Sequence, residues 1–236
     1  MKLRGSVALV TGAGKGIGRA IAHRLSSEGA IVVLNARTQS DLEAVRAEIQ
    51  ATGGTASISA ADITDDVKGE KLFEQIDREF GKLDILINNA GKGTFAPVRD
   101  LKVDDLDAMW NLNMRALFQC TKHALTRMEK QGKGAIVNVA SLAGRNAFIG
   151  GAGYAATKWA LIGFSRCLML EVREKNIRVV TICPGSVNTG FSGGHDPVQA
   201  GKILAPEDVA EATIVALTLH PRALMSEIDI RPTNPR

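Results

Sequence analysis

The chain has 236 residues, of which 45% are apolar, and a formal net charge of +4. That apolar share is ample for a buried core, and the length fits one large α/β domain. No apolar stretch reaches the ~18 residues of a membrane span, and the interleaved charges lack the clustered basic stripe of a nucleic-acid face, so neither membrane nor nucleic acid is an expected partner.

Short β-branched runs alternate with longer amphipathic stretches along the whole chain. Strands are predicted at Val7–Val10, Ile31–Leu34, Thr55–Ala60, Leu83–Ile87, Ala135–Val139, Arg178–Ile182 and Glu227–Ile230. Between them, helices are predicted at Ile17–Glu28, Asp41–Ala51, Lys68–Phe80, Leu106–Glu129, Tyr154–Glu174 and Glu207–Leu219. Thr64 with the acidic residues after it, and Pro206 with Glu207 and Asp208, supply helix-start signals. The strands are nearly continuously apolar, as expected when helices cover both faces of a parallel sheet. The predicted fold is a single α/β domain over residues 1–236, a doubly wound sheet of seven parallel strands with helices on both faces. The aperiodic, glycine-rich segment Asn188–Lys202 reads as a mobile substrate loop.

Cys120, Cys167 and Cys183 are odd in number, widely spaced and free of C-x-x-C pairing, and read as reduced packing residues. The four histidines form no metal-ligand cluster, so no metal is expected. Met1–Gly5 runs into the first strand with no signal-peptide apolar region, and a cytoplasmic location is expected.

The first strand ends in Thr11-Gly-Ala-Gly-Lys-Gly-Ile-Gly18. A strand that ends in glycines and turns into a helix exposes bare N–H groups at the positive end of the helix dipole, where a pyrophosphate fits. Gly12, Gly16 and Gly18 follow a T-G-x-x-x-G-x-G spacing, wider than the common dinucleotide fingerprint. Far downstream, Tyr154 and Lys158 stand four apart in a predicted helix and therefore share a face. A phenol has a pKa near ~10. An ammonium ~4 to 6 Å away, at an effective dielectric of ~20, stabilises the phenolate by roughly 3 to 4 kcal/mol and is expected to bring Tyr154 toward neutral pH.

With Asp62 after the third strand, Asn88-Asn-Ala-Gly91 after the fourth, Asn113 in a helix, Ser141 after the fifth and Pro184-Gly185 after the sixth, the chain resembles the short-chain dehydrogenase/reductase family over nearly its whole length. The resemblance implies a single-domain Rossmann fold and a hydride-transferring oxidoreductase acting on a carbonyl or secondary alcohol. Tyr154 would be the general acid and base, Ser141 would orient the substrate oxygen, and Lys158 would hold the nicotinamide ribose. Asn113, a better match to the pattern than Asn111, would anchor a water relaying protons to Lys158. The resemblance further implies dinucleotide contacts from Gly12, Lys15, Gly16, Ile17 and Gly18, and from Asn89, Ala90 and Gly91. Asp62 would receive the adenine amino group with Ile63 against the ring, and Pro184, Gly185, Val187 and Thr189 would wall the nicotinamide. Asn88 and Asn89 equally suit structural hydrogen bonding at a strand end.

Family members that use NAD carry an acidic residue near the end of the second strand. Here Ala36 stands there, followed by Arg37, with Lys15 in the glycine turn. Two cations suit a 2′-phosphate, so NADP(H) is expected rather than NAD(H).

Substrate choice is expected from Lys92–Phe95, Leu142–Phe148 and Gly190–Leu204, and Phe191 as the only aromatic of that last loop implies an open mouth. Reductases of 3-oxoacyl thioesters on acyl carrier protein are near relatives, and Lys130, Lys133 and Lys175 are candidate docking positions for the acidic carrier. The tail Met225–Arg236 lacks those reductases' glycine pairs and looks more like hydroxy-acid, pterin and small-carbonyl reductases. A lyase or epimerase would need a longer substrate domain, and a non-catalytic dinucleotide sensor would be expected to lose part of the Asn113, Ser141, Tyr154 and Lys158 set. Broad apolar faces on the helices at Leu106–Glu129 and Tyr154–Glu174 predict a homodimer or homotetramer.

Overall fold

Apolar runs become strands here because helices cover both sides of the sheet they form. The computed structural model describes residues 1–192 and 202–233. The strands are β1 (Val7–Thr11), β2 (Ile31–Ala36), β3 (Thr55–Ala60), β4 (Ile85–Asn88), β5 (Gly134–Val139), β6 (Ile177–Pro184) and β7 (Glu227–Ile230). All pair in parallel, in the order β3-β2-β1-β4-β5-β6-β7. The helices are α1 (Gly16–Ser27), α2 (Gln39–Ala51), α3 (Asp66–Phe80), α4 (Val103–Trp110), α5 (Leu117–Gln131), α6 (Ala152–Val172) and α7 (Pro206–Thr218). Alternation along β1 divides the core. Ala8 and Val10 join Ile21, Leu25, Val209 and Ile214 on one face, and Val7 and Leu9 join Phe73, Ile76 and Ala124 on the other. Strand order reverses between β1 and β4, which opens a crevice beyond the carboxyl ends of the sheet.

Several expected boundaries shift for identifiable reasons. β6 continues to Pro184 because β7 pairs with it there, Pro184 opposite Ile230. The cap of α3 is Asp65 and not Thr64: the Asp65 carboxylate accepts from the Val67 and Lys68 N–H groups at 3.0 and 3.1 Å. Thr64 instead donates its hydroxyl to Asp62 at 2.7 Å. The predicted helix Leu106–Glu129 is interrupted by a π-helical turn at Asn111–Ala116. Asn113 at its centre accepts from the Lys92 N–H and donates to the Lys92 carbonyl, both at 2.9 Å. That pin ties the helix to the chain leaving β4. Cys120 and Cys183 are buried, but Cys167 is exposed and does not pack.

Lys133 immediately precedes β5, and Lys175 precedes β6 and donates to Glu129 at 2.7 Å. With Lys130 at the end of α5, they lie at the amino ends of the strands, whereas Ser141 follows the carboxyl end of β5. A carrier docked on those lysines would face the wrong end of the sheet. The expected mobile loop falls largely on residues 193–201, outside the described residues; at its base Val187 bridges Leu204. Among the described residues, no helix is long and apolar enough to cross a membrane.

Candidate active site

The glycine turn is held open by its neighbours. Thr11 donates its hydroxyl to the Ile87 carbonyl at 3.1 Å and accepts the Asn89 and Ala90 N–H groups at 3.0 and 3.1 Å. Asn89 donates back to the Thr11 and Gly12 carbonyls at 2.9 and 3.2 Å. Gly12 and Gly16 have φ of +66° and +55°, the left-handed region where glycine is unstrained. Gly18 is required by packing, since a Cβ there would sit 2.5 Å from Asn89 Nδ2 and closer still to the Gly12 carbonyl. At the start of α1, Lys15 is extended, no side chain caps the helix and no acidic residue occupies its first turn. The first N–H groups of α1 therefore have no side-chain acceptor, and their aligned dipoles suit a bound phosphate, so these residues fit a dinucleotide.

The crevice beyond this turn has a volume of about 870 Å³. Gly12, Lys15, Gly16 and Ile17 line one end, and Asn89, Ala90 and Gly91 continue from β4. Ser141, Tyr154 and Lys158 occupy the middle, with Pro184, Gly185, Val187 and Thr189 opposite. Gly18, Arg37, Asp62, Ile63 and Asn113 do not line it. Gly18 lies beneath the turn. Arg37 is exposed just past β2, and its charge helps hold the Asp62 carboxyl below its usual range, so the two are near one another. Burial opposes that charge on Asp62, but the Thr64 N–H and hydroxyl, with the Arg37 and Lys68 cations, outweigh it. Ile63 packs its side chain into the core around Phe73, so any dinucleotide contact it makes falls to its backbone.

Tyr154 and Lys158 are 8% and 4% exposed, so both side chains are largely desolvated although they line the crevice. Lys158 Nζ donates to the Val139 carbonyl at 2.9 Å and stands 5.7 Å from the centre of the Tyr154 ring. Ser141 accepts from the Ala143 N–H at 3.1 Å, and its hydroxyl pulls the Tyr154 phenol down. Burial acts more strongly and pushes Tyr154 up to about 12. The same desolvation pushes Lys158 down to about 8. The expected lowering of Tyr154 by the ammonium is thus overturned in the protein alone: each group loses its hydration, and Lys158 spends its charge on a carbonyl. The side chain of Asn113 is fully engaged behind the site. With its two donors given to the Lys92 carbonyl and to Thr157 Oγ1, it locks the π turn behind Gly91 and is not presented to the crevice.

Residues 6–198 match the short chain dehydrogenase family. The chain belongs to that family. A sepiapterin reductase of Chlorobaculum tepidum is 34% identical over 235 residues, covering 97% of this chain and 96% of the relative. A metagenomic short-chain oxidoreductase solved with NADP superposes with a TM-score of 0.88 at 35% identity, covering 99% of each chain. A 3-ketoacyl-(acyl-carrier-protein) reductase of Brucella melitensis solved with NADH gives 0.89 at 29% identity, covering 99% of this chain and 100% of the other. The short-chain dehydrogenase fold therefore accounts for nearly every residue of this oxidoreductase.

Two features of the site escape sequence reasoning. Arg145, four residues after Ser141, donates to Asp229 at 2.6 Å and to Glu227 at 2.5 Å, tying the segment after β5 to β7. Phe95 and Phe148, at the ends of two segments expected to set substrate choice, join Phe191 in the crevice wall and make it more aromatic than Phe191 alone implies. Their positions near Gly91 and Tyr154 are the only local signal of this.

Proposed function

We propose that this short-chain dehydrogenase interconverts a carbonyl compound and the corresponding secondary alcohol, with NADP(H) as cofactor. The observation that carries the reading is the burial of Tyr154 beside both Ser141 and Lys158, in a crevice that begins at the glycine turn. When bound, the dinucleotide supplies or accepts the hydride. Ser141 donates to the substrate oxygen and fixes its direction, and Tyr154 delivers its proton to that same oxygen during reduction or removes it during oxidation. A phenol held up at about 12 is protonated at neutral pH, which suits the reducing direction. Lys158, with a pKa near 8, holds ribose hydroxyls and takes part in reprotonating the phenol. NADP is favoured over NAD because Ala36 ends β2 without a carboxylate and Arg37 follows it. The crystallised relatives named above bind either form, so this preference rests on those two residues and Lys15.

A pterin substrate is the second reading, favoured by the sepiapterin reductase relative. Against it, no carboxylate among the described residues lines the crevice to accept from an aminopyrimidine ring. The proposal extends to assembly. Phe118 of α5 and Trp159 and Leu170 of α6 are half-exposed or more, and a two-fold axis would cover them. The deciding experiment is Tyr154→Phe, followed by NADPH oxidation against a panel of diketones, quinones and 3-oxoacyl thioesters. Loss of turnover with NADPH affinity intact is expected; retention of more than a few per cent of turnover would falsify the assignment.

A further inference from the structure

Three phenylalanines from separate parts of the chain gather beside Tyr154, two against its ring and the third against one of those two. Phe95 comes from the segment after β4, Phe148 from the segment before α6, and Phe191 from the turn after β6. Phe95 meets the Tyr154 ring edge-on at 5.4 Å, Phe191 meets it at 5.8 Å, and Phe148 packs on Phe95 at 5.9 Å. Gly93 makes the convergence possible, since a Cβ there would lie 2.9 Å from both Phe191 Cε1 and Phe95 Cζ. The rings are not core residues. Phe95, Phe148 and Phe191 remain 42%, 46% and 43% exposed, and all three line the crevice.

Taking the carbonyl–alcohol reading above as its basis, we infer that the substrate carries its reacting carbon on a flat aromatic body, gripped by Phe95, Phe148 and Phe191. Aromatic rings prefer offset or edge-to-face partners at ~4.5–7 Å, an arrangement that an incoming ring completes and an alkyl chain does not. The rest of this end of the crevice agrees. Leu142, Ala147 and Ile203 are apolar, and Arg231 is engaged by Asp229 at 3.3 Å. With Arg231 paired to Asp229, Lys158 bonded to the Val139 carbonyl and no carboxylate among the described residues lining the wall, a neutral ring at this end strands no unpartnered charge. Phe95, Phe148 and Phe191 are specificity-determining residues, and Gly93 is a positioning residue that acts through two of them.

The test compares phenylacetone with cyclohexylacetone, two methyl ketones of similar size that differ in aromaticity, using NADPH and the full-length protein. The expected kcat/KM ratio is about tenfold in favour of the aryl ketone, the scale of one or two ring–ring contacts. Phe148→Leu and Gly93→Ala are expected to bring that ratio within about twofold, with the change carried mainly by KM. Circular dichroism and NADPH fluorescence titration check that each variant is folded and binds cofactor. Calorimetry of benzyl alcohol and cyclohexylmethanol binding to the NADPH-loaded protein, a pair that cannot exchange hydride, measures the preference independently of turnover. Equal affinities and equal kcat/KM for the paired compounds overturn the inference and leave the oxidoreductase reading standing. Absence of turnover with every carbonyl, alongside an aromatic preference in binding, overturns that reading and leaves the aromatic grip standing.

Discussion

Lys158 is stabilising to the site and destabilising to the fold, and the two effects separate with pH. Its amine ordinarily titrates near 10.5 and falls to about 8 on burial. The unfolded chain therefore binds one more proton than the folded protein between those values, and stability rises with pH across that window. Below about pH 8 the folded cofactor-free protein holds a charged, desolvated amine at a cost of about 3 kcal/mol, since each pKa unit is worth ~1.4 kcal/mol. Lys158→Met removes that cost and also the hydrogen bond to the Val139 carbonyl, worth about 1–3 kcal/mol. The expected net gain at pH 7 is about 1 kcal/mol, or ~2–4 °C in Tm for a chain of this size. Above pH 10.5 the wild-type amine is neutral in both states, only the lost hydrogen bond remains, and the variant becomes the less stable protein. Tyr154, raised to about 12, lowers stability above pH 10 in both proteins alike and cancels in the comparison. Thermal melts of the two proteins without dinucleotide, followed by circular dichroism from pH 7 to 11, should therefore cross. Melting curves that stay parallel across that range would refute a buried, proton-poor Lys158.

Gly18→Ala places a methyl against the Gly12 carbonyl and Asn89, so a loss of about 3 kcal/mol is expected, read as a fall of ~6–12 °C in Tm together with weaker NADPH binding. Arg37→Ala should weaken NADPH far more than NADH in fluorescence titrations; equal losses would count against a 2′-phosphate contact. Glu227, held down to about 2 chiefly by Arg166 and then Arg145, gives stability that is full above pH 4.5 and lost as pH falls toward 2. Glu227→Gln should cost about 1–2 kcal/mol at pH 7, allowing for solvent screening, and flatten the acid limb of the stability curve. An unchanged limb in urea titrations would remove Glu227 from that role.

Local chemistry wrote much of this protein into its sequence. Apolar continuity marks the five inner strands, because a parallel sheet buried on both faces demands such runs; β3 and β7, at the two edges of the sheet, are only partly buried and carry a weaker, more polar signal. The glycine turn is legible for the same kind of reason: Gly12, Gly16 and Gly18 answer to backbone geometry and close packing within a few residues of themselves. Tyr154 and Lys158 are legible from helix spacing and family resemblance together. Their proton affinities were not, because those depend on how much water the folded crevice excludes and on which carbonyl Lys158 meets, and no residue type carries that information alone. Asn113 is conspicuous as a residue type, but its bonds to Lys92 and Thr157 exist only once a π turn, a loop and α6 are brought together. The cluster of Phe95, Phe148 and Phe191 depends still more on the fold. These rings are far apart along the chain, and their meeting over Tyr154 is decided by where three strand-end segments arrive in space.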